Sequence, residues 1–550
     1  MKKFTATPII LALLSLLFAC GKEEQESSLV SETFTLENVV NGNNSSNAST
    51  FADVDPQLSI ELSFSDDIDS STTRYITLKD TSGNYMGLKC NVSGKKVVVT
   101  SDSVLSSYST YKLYLGSGLK STNQVSFSSQ TLTLKTALDS TDKFDRITDE
   151  ELLDLVQSQT FKYFWDNRHP TSGMALERAS SPNTVTTGGT GFAIMTIIVG
   201  IERDFISRTE GLERILKIVN FLNLNCTRYH GAFSHWINGT TGETIPFSTY
   251  DDGGDLVETA FLFQGLLTAR AYFDQEDSEE VALRNLVTTL WEEVEWTWFQ
   301  KNGESALYWH WSPNYGWQIN QQISGWSEAL IVYVLASSSP TYPISKDVYD
   351  NGWAGSGSIK NGSQYYGYTL PLGESYGGPL FFTHYSFLGL DPTGLSDEYA
   401  NYFTQNQNHA LINYSYCVAN PSGFTGYSTD CWGLSASDGN AGYSAFSPTN
   451  DQGVIAPTAA LSSMPYTPEK SLDALRFFYY KLGDKIWKDY GFVDAFNLSE
   501  QWFDSDFLAI DQGPIVVMIE NYRTGLIWNL FMNIEEIQNG YTKLGFQVSK

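Results

Sequence analysis

At 550 residues, with 41% hydrophobic and only 17% charged side chains, the sequence has the apolar content of a folded protein of several domains, not of a disordered tail or a coiled coil. Its 31 Tyr, 32 Phe and 14 Trp make it rich in aromatic residues. Against 62 Asp and Glu stand 34 Lys and Arg, a formal charge of −28; so acidic a chain has too few cations to displace counterions from a phosphate backbone, and nucleic acid is excluded as an expected partner.

Lys2 and Lys3 precede an apolar run from about Pro8 to Ala19, too short for the roughly 20 residues of a membrane-spanning helix. Residues 1–20 therefore read as a signal peptide. Its end, Leu17-Phe18-Ala19-Cys20-Gly21, resembles the bacterial lipobox, which implies lipidation at Cys20 and a membrane anchor. Residues 21–30 are a linker whose Lys22-Glu23-Glu24-Gln25-Glu26 resembles the acidic export signal of surface lipoproteins in Bacteroidetes-type bacteria. The expectation is an outer-membrane lipoprotein, on the cell surface or facing the periplasm. Cys90, Cys226, Cys417 and Cys431 lack any CxxC or Cys/His spacing for zinc, so no metal is expected. They read as buried thiols, with a Cys417–Cys431 pair as the alternative.

Residues 31–137 are rich in Ser, Thr, Val and Asn and alternate apolar with polar, as in Leu58–Phe64 and Val97–Thr100. Turn signals at Thr81–Asn84 and Ser93–Lys95 separate short strands at the spacing of an all-β sandwich. The Thr110-Tyr111-Lys112-Leu113 strand and the closing Leu132–Thr136 run resemble bacterial Ig-like modules, which implies a spacer more than a glycan binder.

Residues 138–550 change to helical periodicity. Thr148-Asp149-Glu150-Glu151 is a capping box opening a helix over Leu152–Trp165, and Pro468 opens another. A polar residue, Gly and an apolar run recur six times, at Thr187, Asp252, Ser324, Tyr376, Asp451 and Asp511, spaced by about 65 residues. Six helices buried on all sides, alternating with amphipathic covers such as Glu210–Asn223 and Ser278–Phe299, predict a mainly α architecture, an (α/α)6 barrel. A further helix over Thr524–Gln538 falls outside that count, as an extension of the last inner helix or a cap.

The N-termini of six such helices would line one cavity, and acids gather there. Asp251, Asp255 and Glu258, at i, i+4 and i+7, are expected on one helix face, where like charges raise one another's pKa. A helix cap at Asp251 and Asp252, with Asp255 as a first-turn acid offsetting the dipole, would account for those residues but not for Glu258, one turn deeper in an apolar run. Glu328 is expected in the first turn of its helix, before an apolar run that forces it toward a cavity. Asp511 is placed like an N-cap, and Asp451 shares its Asp-Gln-Gly context. Two carboxylates across a cavity suit glycosidic bond cleavage. Trp236, Trp309, Trp311, Trp317, Trp326 and Trp432 are candidates for stacking on sugar, two or three of them touching it and the rest core. There is no HExxH, GxSxG, P-loop or strand-borne GxGxxG, and His230 and His235 read as structural.

The runs Tyr163–Asp166, Gly191–Ala193, Gly325–Leu330, Pro379–Tyr385, Asp430–Leu434, Ala456–Ala460, Tyr490–Phe496 and Asp511–Pro514 resemble the glycoamylase-like domain of glycoside hydrolase family 144, over about Phe144 to Lys550. The resemblance implies an (α/α)6 barrel that hydrolyses β-1,2-glucan with inversion, internally or by releasing sophorose, without a cofactor. It maps the family's acids onto Asp251, Asp255, Glu258, Glu328 and Asp511. Because acid and base must approach a bond from different sides, Glu328 is expected as the acid and Asp511 as the base, with the other three binding substrate or tuning pKa values. Trp236, Trp317, Trp326, Trp432 and His384 are the expected sugar contacts. Hydrolysis of another glucan linkage, or a barrel that binds glycan without cutting it, are the alternatives.

Overall fold

The strands in the first part of the chain form where β-branched and aromatic residues alternate with polar ones. In the computed structural model, which describes residues 33–549, β1 (Leu36–Asn41), β2 (Asn44–Ser46), β3 (Thr50–Val54), β4 (Ser59–Phe64), β5 (Ile76–Asp80), β6 (Tyr85–Met86), β7 (Leu88–Ser93), β8 (Lys96–Ser101), β9 (Thr110–Leu115) and β10 (Gln130–Thr136) build two five-stranded sheets. The orders are β2-β1-β4-β8-β7 and β3-β10-β9-β5-β6. Register matches the apolar alternation: Ile60 and Leu62 lie opposite Val99 and Val97, and Leu132 and Leu134 opposite Leu113 and Tyr111. These inward residues of both sheets join one hydrophobic core. The leader, Cys20 and the linker lie outside the described residues. Among the described residues no helix is long and apolar enough to cross a membrane.

The chain divides into two compact units between Ala137 and Leu138. The second is helical: α1 (Asp149–Trp165), α2 (Thr187–Glu202), α3 (Arg208–Leu224), α4 (Leu256–Tyr272), α5 (Ser278–Glu292), α6 (Leu330–Ser338), α7 (Lys346–Val348), α8 (Tyr402–Ala419), α9 (Pro457–Leu461), α10 (Pro468–Tyr480), α11 (Gly483–Ile486), α12 (Ala509–Arg523), α13 (Leu526–Met532) and α14 (Glu535–Leu544). The capping box at Thr148 forms, each partner serving the other's backbone. The final stretch is two helices rather than one extension, because Gly525 takes a left-handed φ between α12 and α13.

The helices split by burial. Every residue of α2 from Thr187 to Ile201 is buried, as are all of α6 and α9. By contrast α1, α3 and α5 bury one stripe each. The buried pieces touch in succession: α12 meets α2, α2 meets α4, α4 meets α6, and α9 meets α12. Between α6 and α9 the expected fourth inner helix is absent. Gly377 and Gly378 at positive φ, followed by Pro379, break the chain, and two 3₁₀ turns, Leu380–Thr383 and Ser386–Leu388, stand there instead. Their backbone groups find side chains: Gln264 Nε2 donates to Tyr385 O (3.0 Å) and its Oε1 accepts from Gly389 N (2.6 Å), Asn521 Nδ2 donates to Leu388 O (3.0 Å), and Trp528 Nε1 to Phe387 O (2.7 Å).

Helices α2 and α4 approach most closely at Gly191 and Gly265. A methyl on Gly191 would overlap the Phe261 carbonyl oxygen, and one on Gly265 the Gly191 carbonyl oxygen. Backbone cannot yield as a side-chain tip can, so Gly191→Ala should cost about 3 kcal/mol. The check is the urea midpoint, which should fall at unchanged slope.

Candidate active site

The N-terminus of α4 is set by Asp255, whose Oδ1 accepts from the amides of Val257 and Glu258 at 2.9 Å each. The helix therefore begins at Leu256, after the expected start. Asp251 lies in the preceding bend, Asp255 is the cap, and only Glu258 projects from the helix, so the three do not share one helical face. They gather by other means. Asp255 Oδ2 takes hydrogen bonds from His235 Nδ1 (3.1 Å) and Trp309 Nε1 (3.3 Å), which leaves the residue fully enclosed. His235 Nε2 faces Glu258 Oε1 at 3.9 Å. Glu258 Oε2 accepts from Gly188 N (2.7 Å) and Thr186 Oγ1 (3.2 Å), at the electropositive start of α2.

Burial opposes a charge on His235, yet Glu258, Asp255 and Asp251 together raise it to about 9, and it is a cation at neutral pH. Burial, reinforced by Asp255, raises Glu258 against the pull of His235. Asp251 Oδ1 lies 3.3 Å from His310 Nε2, a nitrogen that already accepts the Gly253 amide at 3.0 Å. Burial and the neighbouring charge of Asp255 raise the Asp251 carboxyl to about 7.

Glu328 stands in the turn before α6, two residues ahead of the helix, not in its first turn. Gly325, at φ 80°, shapes that turn, and the Glu328 carbonyl is held by the Ser386 hydroxyl. Its carboxyl, raised to about 7 by burial and by the negative charges of Asp255 and Glu258, faces a cavity of about 360 Å³. Glu258, Trp236, Trp309, Tyr385 and the Glu177–Arg178 pair also line it.

Asp511 is the third residue of α12 rather than its cap, which falls on Leu508. It is 1% exposed and sits behind Tyr385, whose hydroxyl donates to Asp511 Oδ1 at 3.3 Å. Burial raises it to about 7, while hydrogen bonds from Asp494 and Tyr385 act the other way. Asp451, in the same Asp-Gln-Gly context, belongs to a turn, accepting from Tyr427 Oη (2.8 Å) and Gly453 N (3.0 Å).

Of the expected sugar contacts, Trp236 lines the cavity and four others do not. Trp326 is buried against Trp353, Phe387 and Tyr402. Trp317 packs on Phe299 and Tyr308. Trp432 is fully buried, with Nε1 on Lys470 O (3.3 Å), and His384 is buried with Nε2 on Ser463 Oγ (3.0 Å). Tyr385 and Arg178 are residues that sequence reasoning passed over, though Tyr385 adjoins His384 in a run already singled out; His235, read there as structural, instead lines the cavity between Asp255 and Glu258. Two clusters bring possible cation ligands within 4.8 Å, His235/Asp251/Asp255 and Asp438/Asp494/Asp504. In both a protein cation already stands against a carboxylate: His235 in one, Arg178 (2.8 Å from Asp438) in the other. Cys90, Cys226, Cys417 and Cys431 are free thiols, the last two buried.

Comparison with known proteins adds the family. A family model described as "Putative glucoamylase" matches residues 320–535. An endo-β-1,2-glucanase from Chitinophaga pinensis, solved with sophorotriose and glucose, is 51% identical, with a TM-score of 0.72 over 73% of this chain and 99% of that one. This chain belongs to the glycoamylase-like family, glycoside hydrolase family 144. A β-1,2-glucanase structure from Parabacteroides distasonis is 39% identical over 93% of this chain and 73% of that one, at a TM-score of 0.71. The curated relative, an exo-β-1,2-glucooligosaccharide sophorohydrolase (non-reducing end) from the same organism, is 49% identical over 420 residues, 72% of this chain. The matched region spans 58% of that relative's own length.

Proposed function

We propose that the chain is a glycoside hydrolase that cleaves β-1,2-glucan or its oligosaccharides, internally or by releasing sophorose, with inversion. The observation that carries this reading is a cavity walled by Glu328 and by Tyr385, which screens the buried Asp511, in a chain so similar to β-1,2-glucanases. Glu328, held protonated by its surroundings, gives its proton to the departing glycosidic oxygen. Water attacks the anomeric carbon from the opposite face and yields its proton to Asp511 through the Tyr385 hydroxyl, which passes one proton on as it takes up another. Asp255, His235 and Glu258 hold the facing wall, and Trp236 and Trp309 offer flat surfaces to sugar rings.

The closed succession of buried segments supports an (α/α)6 barrel whose fourth stave is 3₁₀. The two sheets of residues 31–137 support an Ig-like spacer, and the lipobox supports an outer-membrane anchor at Cys20.

The test is incubation with linear β-1,2-, β-1,3-, β-1,4- and α-1,4-glucans. Products are expected from the β-1,2 chain alone, as sophorose only for exo action or as a ladder for endo action. Cleavage of the α-1,4 chain in preference would overturn the assignment.

A further inference from the structure

Asp494, in the run Gly491–Phe496, is a carboxyl that the reaction as described does not use. It is 2% exposed, and its Oδ2 accepts the Asp438 amide at 2.7 Å. Its Oδ1 is buried with no donor from any other group, and so is Oδ2 of Asp511. Each carboxyl is left with one unpaired buried oxygen, and the two side chains lie near enough to act on each other, Asp494 lowering Asp511 in the manner of a donor. Two carboxylates offer only acceptors, so this contact needs a proton between them.

We propose that Asp494 is a neutral carboxylic acid that donates to Asp511 and so holds Asp511 as a carboxylate, ready to accept the proton of the attacking water. Asp494 is a positioning residue here, and the inference rests on Asp511 being the base. The assignment of the proton follows from the surroundings. Asp511 has a second donor, the Tyr385 hydroxyl, whereas Asp494 has one amide and faces further negative charge from Asp438 and Asp504. Arg178 is spent on Glu177 and Asp438, and Tyr163 and Tyr443, also nearby, are neutral. Burial and these acids push Asp494 well above the usual carboxylate range, in the same direction as the geometry.

The experiment compares Asp494→Asn and Asp494→Leu with the native chain, reading kcat, KM and the pH profile on β-1,2-glucooligosaccharides. The amide keeps the donor without the charge. Asn should hold kcat within about tenfold, with the acid limb within about half a pH unit. Leu should lose about a hundredfold in kcat at unchanged KM, with the acid limb moved up as Asp511 loses its donor. If Asn instead moves the acid limb down by more than about one unit, Asp494 is ionised in the native chain and the proposal fails. Equal loss in Asn and Leu with an unmoved limb also overturns it, as a purely structural role. Should Leu not fold, the carboxylic-acid infrared band decides: its loss in Asn supports the proposal, and its retention sinks it. Asp511→Asn separates the two readings, since a variant active there refutes the base itself, whatever Asp494 does.

Discussion

Glu328→Gln should lower kcat by about a thousandfold or more on β-1,2-glucooligosaccharides while leaving KM within a fewfold, since an amide keeps the shape and has no proton to give. Glu328 is a cavity-lining carboxyl without the Gly188 and Thr186 donors that hold Glu258, and burial, only partly offset by its own amide, raises it to about 7. The native enzyme should therefore lose activity as pH rises through about 7, and that basic limb should vanish in any residual activity of the variant. The same group affects stability with a definite sign. Its folded pKa, about 7, stands above the ordinary 4.5, so between those values the native state binds more protons than the unfolded chain. Stability from this group then falls as pH rises through the window. Gln escapes that cost, and Glu328→Gln should be the more stable protein at pH 8, by at most about 3 kcal/mol, and equal to the native at pH 4. An unmoved basic limb together with a tenth or more of the native rate would remove Glu328 as the acid.

Asp511→Asn should cost about a thousandfold in kcat as well, for the opposite reason: an amide nitrogen cannot accept the proton that water must shed. Tyr385→Phe should fall between, by roughly ten- to a hundredfold, because the cavity can admit a water where the hydroxyl stood. Combined, the two substitutions should be far from additive, since both interrupt one proton path. If Asp511→Asn retains more than about a tenth of the rate, a loss under about 1.4 kcal/mol, the role of base passes to the Asp251, Asp255 and Glu258 group, of which Glu258 lines the cavity.

Glu258 and Glu328 were legible in the sequence because an acid at the head of an apolar run has to face a cavity or a partner. The alternation of Ser59–Phe64 was legible for the same kind of reason: period two has one structural meaning when one face is buried. The position of Asp255 was not. Whether an acid caps a helix or projects from it depends on where the first turn closes, and here Asp255 itself closes it. Trp326, Trp432 and His384 show another limit, since a large ring next to an inner segment suits a sugar or a core equally well until its neighbours are known. Asp494 is hidden more deeply, because its partner Asp511 comes from another element and neither residue's local sequence names the other.

The 3₁₀ stave that carries Tyr385 is tied down by Gln264, Asn521 and Trp528, and this dictates an order of assembly. A helix closes most of its hydrogen bonds within its own sequence; this segment closes a few, such as His384 N to Phe381 O and Phe387 N to His384 O, and takes others from partners 121 to 141 residues away along the chain. Two of those three partners lie C-terminal to it. A chain still leaving the ribosome would hold Glu258 and Glu328 long before it could seat Tyr385, so the wall in front of Asp511 is closed only once the last helices have been made. The cavity wall at Tyr385 is thus among the last parts of the site to be fixed, after Asn521 and Trp528 have been made.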